Sequence, residues 1–118
     1  MSRTQPLDST ILQFARNGLG CGDPGLQLKL AGTYLRLLLE AETLPSAICF
    51  YTEGVKLVVD GSPVLEPLSA LEALGVRLVV CSTCLGFYRL TDAVRVGIVG
   101  GMPDNIEAQR RAEKVITL

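Results

Sequence analysis

Four cysteines and no histidine bound the chemistry open to this 118-residue chain. Two of them stand in the spacing C-x-x-C, as Cys81-Ser82-Thr83-Cys84, where the strand-like run 76–80 ends and a helix could begin. A thiol at a helix start faces unsatisfied N–H groups and the positive end of the dipole, which favour thiolate. Either cysteine could then be a nucleophile near neutral pH, and together they could relay a sulfur atom or close a disulfide. The bland reading is a pair of small buried residues at a strand end. Without histidine, Ser-His-Asp and Cys-His catalysis are excluded.

C-x-x-C is also half of many zinc motifs. A four-cysteine site would have to recruit Cys49, which falls inside a predicted strand and reads as a buried apolar residue, so no metal is expected. The loop Gly20-Cys21-Gly22-Asp23-Pro24-Gly25 fits G-x-G-x-x-G between a strand and a helix, and Glu53 could mimic a ribose-binding acid. Against this, Asp23 places a negative charge where a pyrophosphate would rest, and Pro24 removes an N–H donor. The chain also leaves no space for a second nucleotide-binding half, and no cofactor is expected. Among the isolated basic residues Lys56, Arg77 and Arg89, only Lys56 follows a turn on the cysteine-bearing edge, where an ammonium could steady a thiolate or persulfide.

The elements that must position these residues alternate. Residues 10–15 form an apolar run closed by Asn17-Gly18. Residues 26–41 carry Leu, Ala and Tyr at helical spacing behind the Asp23-Pro24 start, and Pro45 is expected to stop that helix. A strand follows at 47–51. Residues 55–59 have strand propensity but could form a short turn. Ser62-Pro63 opens a helix with Leu65, Leu68, Leu71 and Leu74 every three residues and Gly75 as its end cap. Strands at 76–80 and 94–99, a polar helix at 104–112 and a strand at 114–118 complete the chain. Such alternation means βαβ crossovers and a mainly parallel sheet covered on both faces, with ligands at its carboxyl edge. Gly18, Gly20, Gly22, Gly25, Gly54, Gly86, Gly100 and Gly101 all leave that edge, as do Cys21, Cys81 and Cys84.

Length allows one domain, residues 1–118, with 1–9 as a flexible lead-in. The lead-in is polar and contains Pro6, unlike a signal peptide, and no apolar run reaches the roughly 18 residues of a membrane span. A cytoplasmic location with reduced thiols is expected. With 11 basic and 12 acidic residues, three Phe and three Tyr, the chain has no basic face for nucleic acid. A composition 48% hydrophobic and 19% charged points to surface that meets another subunit.

The run Cys81-Ser82-Thr83-Cys84-Leu85-Gly86-Phe87-Tyr88, with Gly54-Val55-Lys56-Leu57 and Gly61-Ser62-Pro63-Val64-Leu65 upstream, resembles the DsrE-like domain of the YedF family. That family is named for sulfurtransfer and selenium metabolism, and its pattern is close to C-G-T-C-L-x-x-Y after N-x-G-V-K-L. Gly20-Cys21-Gly22-Asp23 and Met102, with the acidic helix start behind it, fall on similar segments. Ser82 replaces a usual glycine, Glu53 a small polar residue, and Gly101-Met102-Pro103-Asp104 lacks the usual N-M pair. The resemblance implies a three-layer α/β/α fold with a five-stranded sheet, often built into trimers or hexamers. It implies a persulfide on Cys81 with Cys84 as its partner, and a rim of Gly20, Cys21, Gly22, Gly54, Lys56, Thr83 and Met102. Full YedF proteins carry a TusA-like domain ahead of this one, so here a TusA-like carrier is expected in trans. Two rivals stay open: a thiol–disulfide redox module on Cys81 and Cys84, and a non-catalytic binding or assembly subunit.

Overall fold

Five apolar segments become strands: β1 (Leu7–Phe14), β2 (Leu44–Phe50), β3 (Arg77–Cys81), β4 (Ile98–Gly100) and β5 (Lys114–Thr117). In this computed structural model, which describes residues 7–118, they pair in the order β4-β3-β2-β1-β5, and every pairing within the sheet is parallel. Between them run α1 (Pro24–Leu39), α2 (Leu65–Ala73), the short α3 (Ser82–Phe87) and α4 (Met102–Arg111). Parallel pairing demands crossovers, and the helices supply them.

The two sheet faces are covered unequally. On one, Leu12, Phe14, Ile48, Phe50, Leu78 and Val80 pack against Leu35 of α1, Leu68 and Leu71 of α2 and Leu85 of α3. Phe14 and Phe50, register partners, stack with ring centroids 5.7 Å apart. Burying each such side chain stabilises the fold by about 1.5–3 kcal/mol before entropy is charged against it. On the other face Ile11, Ala47, Cys49 and Val79 meet Ala108 of α4.

Three local expectations are corrected, and one left open is decided. The flexible lead-in expected over residues 1–9 is not found at residues 7–9, which belong to β1 with Leu7 and Asp8 paired to Leu44 and Pro45; residues 1–6 lie outside the described residues. Pro45 does not stop α1, which ends at Leu39, but enters β2 before that strand meets β3 at Ala47, where a missing N–H costs no ladder bond on that side. Of the two readings open for residues 55–59 the turn is the one found: residues 52–58 wind into a 3₁₀ helix that buries Val55, Leu57 and Val58, so packing overrides their strand propensity. The strand expected at 94–99 shrinks to β4, because Gly97 takes φ +90° and Val94 is diverted into an antiparallel bridge with Val59.

The direction of the crossovers defines a crevice. After β3 the chain enters α3 on the well-packed face, whereas after β4 it enters α4 on the opposite face. Adjacent parallel strands whose connections leave to opposite sides open a cleft at their carboxyl ends, the usual ligand position in such sheets. The register partners at those ends are Cys81 and Gly100.

Candidate functional site

The end of β3 delivers Cys81, in extended conformation, as the N-cap of α3, and Cys84 lies one turn further on. Cys81 is buried and Cys84 half-buried, and all four cysteines are free thiols. Burial pushes the Cys84 thiol up from its ordinary value, the adjoining Cys81 thiol adds to the rise, and a backbone N–H from Thr52 opposes it. The helix-start argument for a thiolate is therefore corrected at Cys84: α3 has only six residues to align, and desolvation with the neighbouring thiol outweighs the Thr52 N–H.

Thr52 was not singled out by any sequence signal. Its N–H donates to Cys84 Sγ at 3.0 Å. To do so it adopts φ +47°, a left-handed conformation that a β-branched residue rarely takes and that costs on the order of 1–3 kcal/mol. Its hydroxyl donates to the Ala15 carbonyl at 2.5 Å, pinning the strained residue to the exit of β1. Gly54 has a packing reason beside it, since a Cβ there would collide with the Phe14 carbonyl oxygen. Close approach of the 3₁₀ helix to β1 thus sets where the Thr52 donor points.

Four residues further along both segments, Lys56 Nζ of the 3₁₀ helix lies 4.7 Å from the ring centroid of Tyr88, the C-cap of α3, a cation–π contact. The 3₁₀ helix and α3 therefore meet at two rungs, Thr52 with Cys84 and Lys56 with Tyr88. The ammonium is directed to the ring and is not among the groups that move the Cys84 thiol.

The remaining expected residues surround this pair at varying remove. Thr83 is exposed on α3, and Met102 is exposed as the first residue of α4. Gly101, the N-cap of α4, donates its N–H to Asp104 Oδ2 at 2.8 Å, and a Cβ on it would lie 4.0 Å from Ser82 Oγ. Gly20, Cys21 and Gly22 sit in the β1–α1 loop on the same edge, with Cys21 exposed. That loop is committed to its own structure: Gln27 Oε1 accepts from Gly22 N–H, and Asp23 Oδ1 accepts from Gly25 and Leu26 N–H. The donors a pyrophosphate would need are taken, which removes the nucleotide reading. Cys49 stands apart in mid-β2, its thiol pushed up by burial with Arg77 opposing. A second residue without a sequence signal is Asn105 of α4, buried with both side-chain amide atoms lacking a partner.

Among the described residues, no three His, Cys, Asp or Glu side chains converge as metal ligands, and no helix is long and apolar enough to cross a membrane.

Comparison with known proteins gives two kinds of match. The model of the DsrE/DsrF-like family matches residues 22–118. Among solved structures, the ychN protein from E. coli aligns with a TM-score of 0.64 at 16% identity, covering 97% of this chain and 99% of that one. The protein of unknown function MTH1491 from Methanobacterium thermoautotrophicum aligns with a TM-score of 0.67 at 19% identity, covering 97% and 100%. At such identities the likeness shows a shared fold. No curated protein matches the chain significantly.

Proposed function

Since the chain belongs to the DsrE/DsrF-like family, which is associated with sulfur relay, we propose that it carries sulfane sulfur as a cysteine persulfide on the Cys81/Cys84 pair. The observation that carries this reading is the adjacency of two free thiols, unequally exposed, at the carboxyl edge of the sheet. Cys84, the more accessible, meets a donor persulfide. Its thiolate attacks the outer sulfur of R–S–SH, the donor S–S bond breaks, and R–S⁻ leaves as Cys84–S–SH forms. The Cys81 thiolate then attacks that outer sulfur, giving Cys81–S–SH and returning Cys84 as thiolate. Neither step needs an external oxidant, because the sulfane sulfur is only passed on. Thr52 N–H supplies the one backbone donor to the Cys84 sulfur while it carries negative charge.

Within the family, the C-x-T-C-L-x-x-Y element at 81–88 supports the YedF-like branch, and with it a TusA-like carrier as donor or acceptor. Exposed Ile98 and Val99 on the edge strand, with Met102 and Ile106 on α4, support self-assembly, as trimers or hexamers in the manner of relatives. A reducing compartment such as the cytoplasm would keep the thiols free for this work.

Intact mass spectrometry after exposure to a persulfide donor tests the relay. The wild type gains one sulfur, Cys81→Ser stalls it on Cys84, and Cys84→Ser loads slowly or not at all. If all three proteins remain unmodified with their thiols titratable, the relay is wrong. The same adjacency supports a second reading, a reversible Cys81–Cys84 disulfide. A reduction potential within the cytosolic range would favour it, and a pair that stays reduced there would not.

A further inference from the structure

The outer face of α1 is apolar where a solvent-facing helix surface is normally polar. The helix holds seven leucines, two basic residues and no acidic one. Ala31 and Leu35 bury one side of it, yet Leu26, Leu30 and Leu37 on the opposite side are 52%, 41% and 61% exposed. A helix apolar on both sides has a second surface to cover. With the exposed Thr33, these leucines follow one another at four, three and four residues, a single stripe with the seam spacing by which helices pair. The stripe is independent of the apolar patch on β4 and α4, because α1 and α4 cover opposite faces of the sheet.

Charge runs along one border of the stripe. Lys29 and Arg36, seven residues and about 10 Å apart along the helix, flank it on the same side. The ion pairs among the described residues join Arg95 to Asp60 and both Arg110 and Arg111 to Glu107, so neither flanking cation has a carboxylate partner there. Both line an open groove of about 380 Å3 between α1 and Pro63-Val64, together with Gly25 and Gly32. A Cβ on Gly32 would lie 3.4 Å from both terminal nitrogens of Arg36, so the missing side chain leaves room for the guanidinium to lie back along the helix. We infer that the α1 stripe docks an amphipathic helix of a partner protein whose apolar seam is bordered by acidic residues about seven positions apart. Such a helix covers Leu26, Leu30 and Leu37 with its own seam, and its carboxylates meet Lys29 and Arg36. A second copy of this chain does not fit. Two α1 helices packed antiparallel about the midpoint of Leu30 and Thr33 would set Lys29 of one against Arg36 of the other, and packed parallel they would bring no carboxylate to either. Nor does an anionic membrane, which is met by cations on both borders, because the second border here carries Gln27 and Tyr34.

The probe is a synthetic three-heptad peptide with leucine at its seam positions and glutamate along both borders, set against a counterpart with lysine in place of glutamate. In calorimetry the glutamate peptide should bind the wild type saturably, and the lysine peptide about tenfold more weakly. Amide resonances of Leu26, Leu30, Thr33 and Leu37 should shift during the titration. Lys29→Glu/Arg36→Glu should reverse the order of the two peptides. Leu30→Gln/Leu37→Gln, which keeps good helix formers, should remove binding of both while the far-ultraviolet spectrum stays unchanged. No binding of the glutamate peptide, equal affinity for the two, or an order unmoved by charge reversal would overturn the inference. So would a smaller sedimentation coefficient for Leu30→Gln/Leu37→Gln, the sign that a second copy covers α1. Binding of the wild type to phosphatidylserine vesicles that this variant loses would overturn it in favour of a membrane.

Discussion

At the scale of single residues, the thiols are set by what surrounds them more than by their motif. Cys84 and Cys49 are both pushed above the ordinary thiol value of 9.0, chiefly by burial. Alkylation of Cys84 should therefore accelerate only at a pH above that of a free thiol, which rate measurements with a small alkylating agent across pH would show. The sign for stability follows from linkage. The unfolded chain loses these protons first, so their stabilisation is complete below the ordinary thiol value and is lost as pH rises through the folded-state values. Denaturant midpoints should fall in that alkaline window, and less steeply in Cys49→Ala. Asn105 makes an opposite case. Its buried amide has no partner, so Asn105→Leu should leave stability unchanged or raise it by about 1 kcal/mol, read from urea unfolding.

Among the elements, the 3₁₀ helix is the one that builds the site and the one least visible in sequence. Val55-Lys56-Leu57-Val58-Val59 has the composition of a strand, and nothing local opposes it. What decides is tertiary: Gly54 packs against the Phe14 carbonyl, and Val59 pairs with Val94. By contrast, α1 was legible because Asp23 and Pro24 encode its start locally, and the Asp23 carboxylate does accept from Gly25 and Leu26. The placement of Cys81 at the carboxyl end of β3 was equally legible, since alternation of elements alone fixes that edge. The Thr52 contact was not, because a φ of +47° on a threonine reflects surroundings and leaves no mark in composition. Gly54→Ala should cost about 1–3 kcal/mol, because a backbone carbonyl cannot yield as a side chain would. The same variant should weaken protection of the Thr52 amide in hydrogen exchange.

For the molecule as a whole, unequal covering of the sheet is the dominant property. One face carries the large side chains and three helices, and the other depends on α4 alone. Around that single helix lie Ile98, Val99, Met102 and Ile106, each with about half or more of its surface exposed. Sedimentation of the wild type should show an oligomer, and Ile98→Lys or Ile106→Asp should shift it towards monomer without loss of the folded signal. A monomeric wild type at micromolar concentration would remove assembly from the proposal.

The Thr52 donor has one more implication. Its hydrogen bond ends on the sulfur that the proposed relay would convert, so addition of a second sulfur, or closure of a disulfide, would alter the acceptor that holds a strained backbone in place. Under that proposal the amide proton of Thr52 is a built-in gauge of cargo. Its resonance and exchange rate should register whether the carrier is laden or empty, with no label attached.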